Sequence, residues 1–285
     1  MKTLPLLLAM VVLISCSNQP EAQQTVETSP KGSLFIIGGG KRPVSLVQNM
    51  IKLSGVDKQG YIVILPMSSS EPDTSAWYAK RQFTQQEIHN VTAFNFEKGK
   101  TPKQVWLDSL RNATMIYISG GDQNKFMDVV LNSPIYEAMH TAYSNGAMIA
   151  GTSAGAAVMS KKMITGNEHK HPEYTGDFRT IEAENIEIAE GMGFTDKIIV
   201  DQHFIWRMRM NRLISVAIEH PEALAIGIDE STAIYVKNEK FKIYGKSQVI
   251  VIDNQSKSQQ ANNGLLGAQN MKLHVLLPGE ELKLK

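Results

Sequence analysis

"AMIAGTSAGAA", residues 147–157, sets an apolar run against a string of small residues with a serine at its centre. The apolar run reads as a buried strand and the alanines after it as helix formers, so Ser153 falls where a strand turns into a helix. Two readings of that serine stand at this point. Gly, Ala, Ser and Thr let a helix sit close to a sheet, which needs no chemistry. Alternatively, a sharp turn exposes the serine oxygen above the sheet, beside backbone N–H groups that can hold an oxyanion.

The same strand–turn–helix grammar recurs along the sequence. "SLFIIGGG" (33–40) is a buried strand ending in a glycine turn, with Pro43 suited to open a helix running to about Ser54. "YIVILPMSSS" (61–70) is a second strand and "NVTAFNF" (90–96) a weaker third; "TPKQVWLDSLRNA" (101–113) starts a helix at Pro102. "TMIYISGGDQNKF" (114–126) and "KIIVDQHF" (197–204) repeat the strand and its polar end. Short apolar strands alternating with helices predict an α/β fold, a doubly wound and mostly parallel sheet with flanking helices. Ligands of such sheets bind beyond the carboxyl ends of the strands. Those ends carry "GGG", "PMSSS", "GGDQ", "GTSAG" and "DQHF", so polar chemistry collects on one edge. After Glu219 the runs "ALAIGI", "TAIYVK", "KFKIYG", "SQVIVID" and "MKLHVLL" predict a β-rich C-terminal part of short antiparallel strands. Neither a linker nor an internal repeat separates them, so residues 33–285 are expected to form one α/β domain.

The N-terminus has a different purpose. Lys2, an apolar run from Leu4 to Ile14 and the small residues of "LISC" (13–16) make residues 1–15 a secretory signal. "LISC" resembles a bacterial lipobox, which would leave Cys16 as a lipidated first residue; an ordinary cleavage point beside Cys16 is the plainer alternative. Residues 17–32 are polar and aperiodic, so the 16–32 stretch reads as a lipidated cysteine with a flexible tether. The protein is therefore expected to be exported and held at a bacterial membrane surface, with Ser17 similar to outer-membrane sorting signals. Cys16 is the sole cysteine, which leaves the mature protein no internal disulfide. The 285 residues are 42% hydrophobic with a formal net charge of +1, a globular composition that gives no reason to expect a nucleic-acid partner.

A serine nucleophile needs a base, usually a histidine oriented by an acid. His89, His140, His220 and His274 fit strand, helix or tail positions. His169 and His171 alternate in a lysine-containing loop, "NEHKHPE", with no second ligand cluster, so no metal and no cofactor are expected. His203 remains, at the end of a buried strand on the edge expected for Ser153; a hydrogen-bonded structural histidine is the alternative. Arg207, Arg209 and Arg212 follow it without an acid before Glu219, a pattern suited to bidentate recognition of carboxylates. "GGDQ" (120–123) adds glycines whose N–H groups can approach an oxyanion, although a Gly-Gly-Asp turn with Asp122 as cap is also ordinary helix-entry chemistry.

"GTSAGAAVMS", "ISGGDQ", "DQHFIWRMRMNRL" and "GIDESTAI" (227–234) together resemble the cyanophycinase branch of the peptidase E-like serine peptidases, in the right order over roughly residues 34–237. The resemblance implies that Ser153 attacks the scissile carbonyl and His203 acts as base and then acid. N–H groups near Gly121 and Ala154 would form the oxyanion hole. Gln123, Asp201, Gln202, Arg207, Arg209 and Arg212 match positions for substrate binding and site architecture. The third triad member is implied to be a glutamate in a loop soon after the nucleophile helix, where Glu168 stands first and Glu173 next. Relatives commonly carry an acid after the glycines of "GGGKR"; Lys41 and Arg42 are a departure expected to alter substrate preference at that rim. The implied substrate is cyanophycin, a poly-aspartate with arginine on each side group, cleaved to β-aspartyl-arginine dipeptides. A related Asp- or isoAsp-directed dipeptidase and a non-catalytic lipoprotein binding acidic peptides are the alternatives; an amidotransferase-like hydrolase would lack its usual cysteine. Family members are often dimers, which makes a homodimer an implied possibility.

Overall fold

The computed structural model describes residues 31–173 and 175–285; the signal segment 1–15, Cys16 and most of the tether lie outside the described residues. The helices are Val44–Ser54 (α1), Pro72–Thr84 (α2), Gln104–Arg111 (α3), Gln123–Val130 (α4), Pro134–Ser144 (α5), Ala154–Ala157 (α6) and Met210–Glu219 (α7). The first eight strands are Ser33–Ile37 (β1), Ile62–Leu65 (β2), Val91–Ala93 (β3), Met115–Ile118 (β4), Met148–Thr152 (β5), Lys162–Glu168 (β6), Ile186–Glu190 (β7) and Ile198–Gln202 (β8). The later ones are Leu224–Ile228 (β9), Thr232–Lys237 (β10), Lys240–Gly245 (β11), Val249–Asn254 (β12), Gln259–Gln260 (β13), Leu266–Gly267 (β14), Met271–Leu276 (β15) and Glu281–Lys283 (β16).

An eight-stranded sheet runs β16-β11-β10-β1-β5-β4-β2-β3, with β1, β5, β4, β2 and β3 parallel and β10, β11 and β16 joined antiparallel at one side. The fold class is therefore α/β, with helices on both faces. Strand pleating divides the core: Leu34, Ile36, Val63, Leu65, Ile116 and Ile118 face α3–α6, while Phe35, Ile37, Ile62, Ile64, Met115 and Tyr117 face α1 and α2.

Two expectations need correction. The strand carrying "DQHF" is not in the main sheet: β8 opens a second sheet, β15-β12-β9-β8. The first run after Glu219 is not purely antiparallel either, because β9 pairs parallel with β8 and antiparallel with β12. The reason is the crossover through α7, a helix long enough to return the backbone to a parallel neighbour. The second sheet turns Ile198, Val200, Leu224, Ile226, Ile228, Val249 and Val251 into the same apolar cluster that backs the main sheet, and covers its other face with α7. One continuous core thus ties the sheets together, and β9 leads through a short turn directly into β10 of the main sheet.

Candidate active site

Ser153 sits between β5 and α6 with φ 55° and ψ −112°, a conformation that costs a non-glycine residue energy and lifts its hydroxyl clear of the strand. The flanking glycines permit this turn. A Cβ on Gly151 would lie 2.3 Å from the Gly155 carbonyl oxygen, and one on Gly155 2.4 Å from that of Ile118. Packing and chemistry, the two readings of the small residues, are thus the same feature: tight packing is what makes the elbow.

His203, at the end of β8, also has a positive φ, 51°, and its N–H donates to the Gly38 carbonyl at 2.6 Å. Its Nε2 lies 2.9 Å from Ser153 Oγ. Its Nδ1 lies 2.6 Å from Glu230 Oε1. The imidazole lies against the glycine turn: a Cβ on Gly39 would be 2.4 Å from its Cε1, and one on Gly40 2.6 Å from the Glu230 carboxylate. Burial holds the imidazole below its ordinary value near 6.5; the Glu230 hydrogen bond opposes this, and Arg207 and Arg209 add to it. The ring is consequently neutral at neutral pH, the state able to accept a proton from serine.

Glu168 does not hold the position expected of it. It closes β6, and its Oε1 accepts from Asn185 Nδ2 at 2.7 Å. With Glu173, His171 and Arg179 it lines a cleft of about 580 Å³ that contains none of Ser153, His203 and Glu230. The carboxylate on His203 is Glu230, in the β9–β10 turn. The signal is present in the sequence: "LAIGIDES" ends a buried strand on two acids. The neighbouring Asp229 matters as well, because its Oδ1 accepts from the Ile205 and Trp206 N–H groups at 3.1 and 2.9 Å and fixes the turn after His203.

The arginine set divides. Arg212 is bidentate on Asp201, with Nε 2.8 Å from Oδ2 and Nη2 on Oδ1, and stacks over Phe178; both partners are 1% exposed. The fork recognises a carboxylate as the spacing suggests, but one from its own fold, so of the two roles expected for Asp201 and Arg212, substrate binding and site architecture, the geometry gives them the second. Arg209 is buried too, donating to the Gln202 carbonyl at 2.6 Å, and its Nη1 is 3.5 Å from Asp201 Oδ1. Gln202 is buried, and Gln123 is buried with Nε2 donating to the Ile164 carbonyl at 3.1 Å. Arg207 is exposed. The Gly120–Gly121 turn runs beside the elbow, the Gly120 Cβ position being 3.4 Å from Ser153 Cβ, and Gly121 (φ 140°) fits closely under the Ser68 carbonyl. Ala154 follows Ser153 directly. A smaller cleft, about 340 Å³, opens at Ser153.

A serine on a strained elbow, bonded to a histidine that a carboxylate orients, on a mostly parallel sheet, defines a serine hydrolase. The chain belongs to peptidase family S51, whose model matches residues 34–244, and it is a serine peptidase. It is 31% identical over 265 residues to the cyanophycinase of Trichormus variabilis, covering 89% of this chain and 86% of that one. It is 30% identical over 267 residues to the cyanophycinase of Geminocystis herdmanii, covering 90% and 94%. Among solved structures, a peptidase from an acI-B1 actinobacterium superposes with a TM-score of 0.62 at 21% identity, covering 88% of this chain and 96% of that one. A putative peptidase E protein from Listeria monocytogenes gives 0.53 at 13% identity, covering 76% and 99%. These two likenesses concern the fold.

Proposed function

We propose that this serine peptidase hydrolyses cyanophycin to β-aspartyl-arginine dipeptides through Ser153, His203 and Glu230. The observation that carries the mechanism is the series of contacts from Ser153 Oγ to His203 Nε2, and from His203 Nδ1 to Glu230. Ser153 Oγ attacks the scissile carbonyl carbon while its proton passes to Nε2. Glu230 accepts from Nδ1–H, holding the productive tautomer and stabilising the imidazolium that forms. The Gly121 and Ala154 N–H groups receive the oxyanion. Collapse breaks the C–N bond, His203 gives its proton to the leaving amine, and water then hydrolyses the acyl-enzyme with His203 again as base. The substrate assignment is supported by the two relatives named as cyanophycinases. Incubation of purified protein with cyanophycin should release the dipeptide, and Ser153→Ala should abolish release with the fold intact. Full activity in that variant discards the mechanism.

Export and anchoring follow the N-terminal motif: lipidated Cys16 would display the domain at the membrane surface. Cys16→Ala should move the protein from the membrane to the soluble fraction and remove palmitate labelling.

A further inference from the structure

The cleft at Ser153 lies between the glycine turn after β1, the end of β4 and the exposed side of α2, and it is lined by Gly40, Arg42, Tyr78, Tyr117, Thr152 and Ser153 among others. Among the described residues that line it, Arg42 carries the one charge. Its Nε donates to Gln82 Oε1 at 2.5 Å and its Nη1 to the Gly40 carbonyl at 3.4 Å, which steadies a half-buried guanidinium at the rim. Two hydroxyls of the lining lack a partner. Tyr117 Oη, on a residue 1% exposed, and Thr152 Oγ1, on one 5% exposed, have no hydrogen-bonding group among the described residues. The Tyr117 ring packs edge-on against Phe83, with centroids 5.5 Å apart.

Buried hydroxyls without partners are costly, and a guanidinium offers donors only. An anionic group bearing hydrogen-bond acceptor oxygens satisfies all three, its charge matched to Arg42, and a carboxylate matches a planar fork best. A cationic group, such as the guanidinium of an arginyl residue, would meet like charge and no acid among the residues lining this cleft. We propose that this cleft is a carboxylate subsite, in which Arg42 is the specificity-determining residue and Tyr117 and Thr152 complete the hydrogen bonds. The inference rests on Ser153 being the nucleophile and deepens that reading. In a β-aspartyl-arginine polymer the carboxylate has two sources, the α-carboxylate of an arginine branch and the free carboxyl terminus of the aspartate backbone.

Protection of Ser153 from labelling by a serine-directed phosphonate tests this without requiring turnover. The probes are a short β-aspartyl-arginine oligomer, the same oligomer with arginyl carboxamides, and the same oligomer amidated only at the carboxyl terminus of its backbone. The free acid should protect at concentrations about ten- to a hundredfold lower than one of the two amidated forms, the worth of a charged hydrogen-bonded contact. The form that loses protection identifies the carboxylate. In Arg42→Met that difference should vanish while protection by the amidated form stays unchanged, and in Tyr117→Phe it should shrink; Arg42→Lys should restore only part of it. Equal protection by all three oligomers, protection by none of them, or a difference retained in Arg42→Met overturns the subsite while Ser153 labelling still upholds the nucleophile. Absence of labelling in the unmutated protein sinks both.

Discussion

Two strand ends meet at this site, and they are built differently. After β5 the backbone turns at Ser153 (φ 55°) and enters a helix at once; after β8 it turns at His203 (φ 51°) and needs the irregular stretch to Arg209 before α7 begins. The serine elbow is shaped chiefly by its own neighbours, Gly151 and Gly155, although its N–H donates to the Ile37 carbonyl of β1 at 3.0 Å and Gly155 fits against Ile118 of β4. The histidine elbow is shaped by distant segments: Gly38 accepts its N–H, Gly39 gives its ring room, Glu230 orients it and Asp229 caps the turn that follows. A nucleophile can be fixed by local packing. Its base has to be brought in by the fold.

The sharpest break would come at the acid. Glu230→Gln should cut kcat by about 10⁴-fold, as for removal of the orienting carboxylate in a serine triad, while Glu168→Gln leaves it essentially unchanged. Steady-state kinetics on the two variants decides, and the opposite ranking would return the acid to the β6 segment. The next largest effect is on stability. Asp201→Ala leaves Arg212 buried without its counter-charge and should cost about 3–5 kcal/mol in urea unfolding. A loss of substrate affinity at unchanged stability would instead make Asp201 a ligand contact.

Smaller is the effect of Gly39→Ala. The methyl must displace the His203 ring, and a shift of that kind costs about 10²-fold in kcat/KM with circular dichroism unaltered; the matching change at Gly99, where a Cβ meets nothing within 4 Å, is the control. The smallest is a pH shift. The neutral imidazole is the active form, so activity falls as pH drops through the lowered pKa of His203, placing the acid limb below about pH 6.5. Arg207→Gln removes a positive charge that lowers this pKa, so the limb should move to higher pH. A limb that stays put or moves lower would show that the Arg207 charge does not reach the ring.

The parallel sheet is legible in the sequence because β1, β2, β4 and β5 are apolar runs ending in glycine or small polar residues, and Ser153 is legible because its elbow is encoded by adjacent residues. His203 stands out as a strand-end histidine. Glu230 does not, although it lies within "GIDESTAI", because a carboxylate two residues past a buried strand looks like any turn acid until the turn is placed. The arginine spacing points rightly to a carboxylate fork, but the partner of Arg212, Asp201, stands upstream of the histidine and belongs to the protein itself rather than to a substrate.

By itself the sequence determined the strands β1, β2, β4, β5 and β8 and which edge gathers polar groups, since burial periodicity and turn chemistry are written in neighbouring residues; α2, α5 and the β6–β7 pair are not read from it. Tertiary structure alone decided that Ser153 and His203 come from two different sheets and that the turn between those sheets delivers Glu230. Those contacts depend on a shared apolar core that holds segments 50 and 27 residues apart at hydrogen-bonding distance, and no local pattern encodes a distance of that kind.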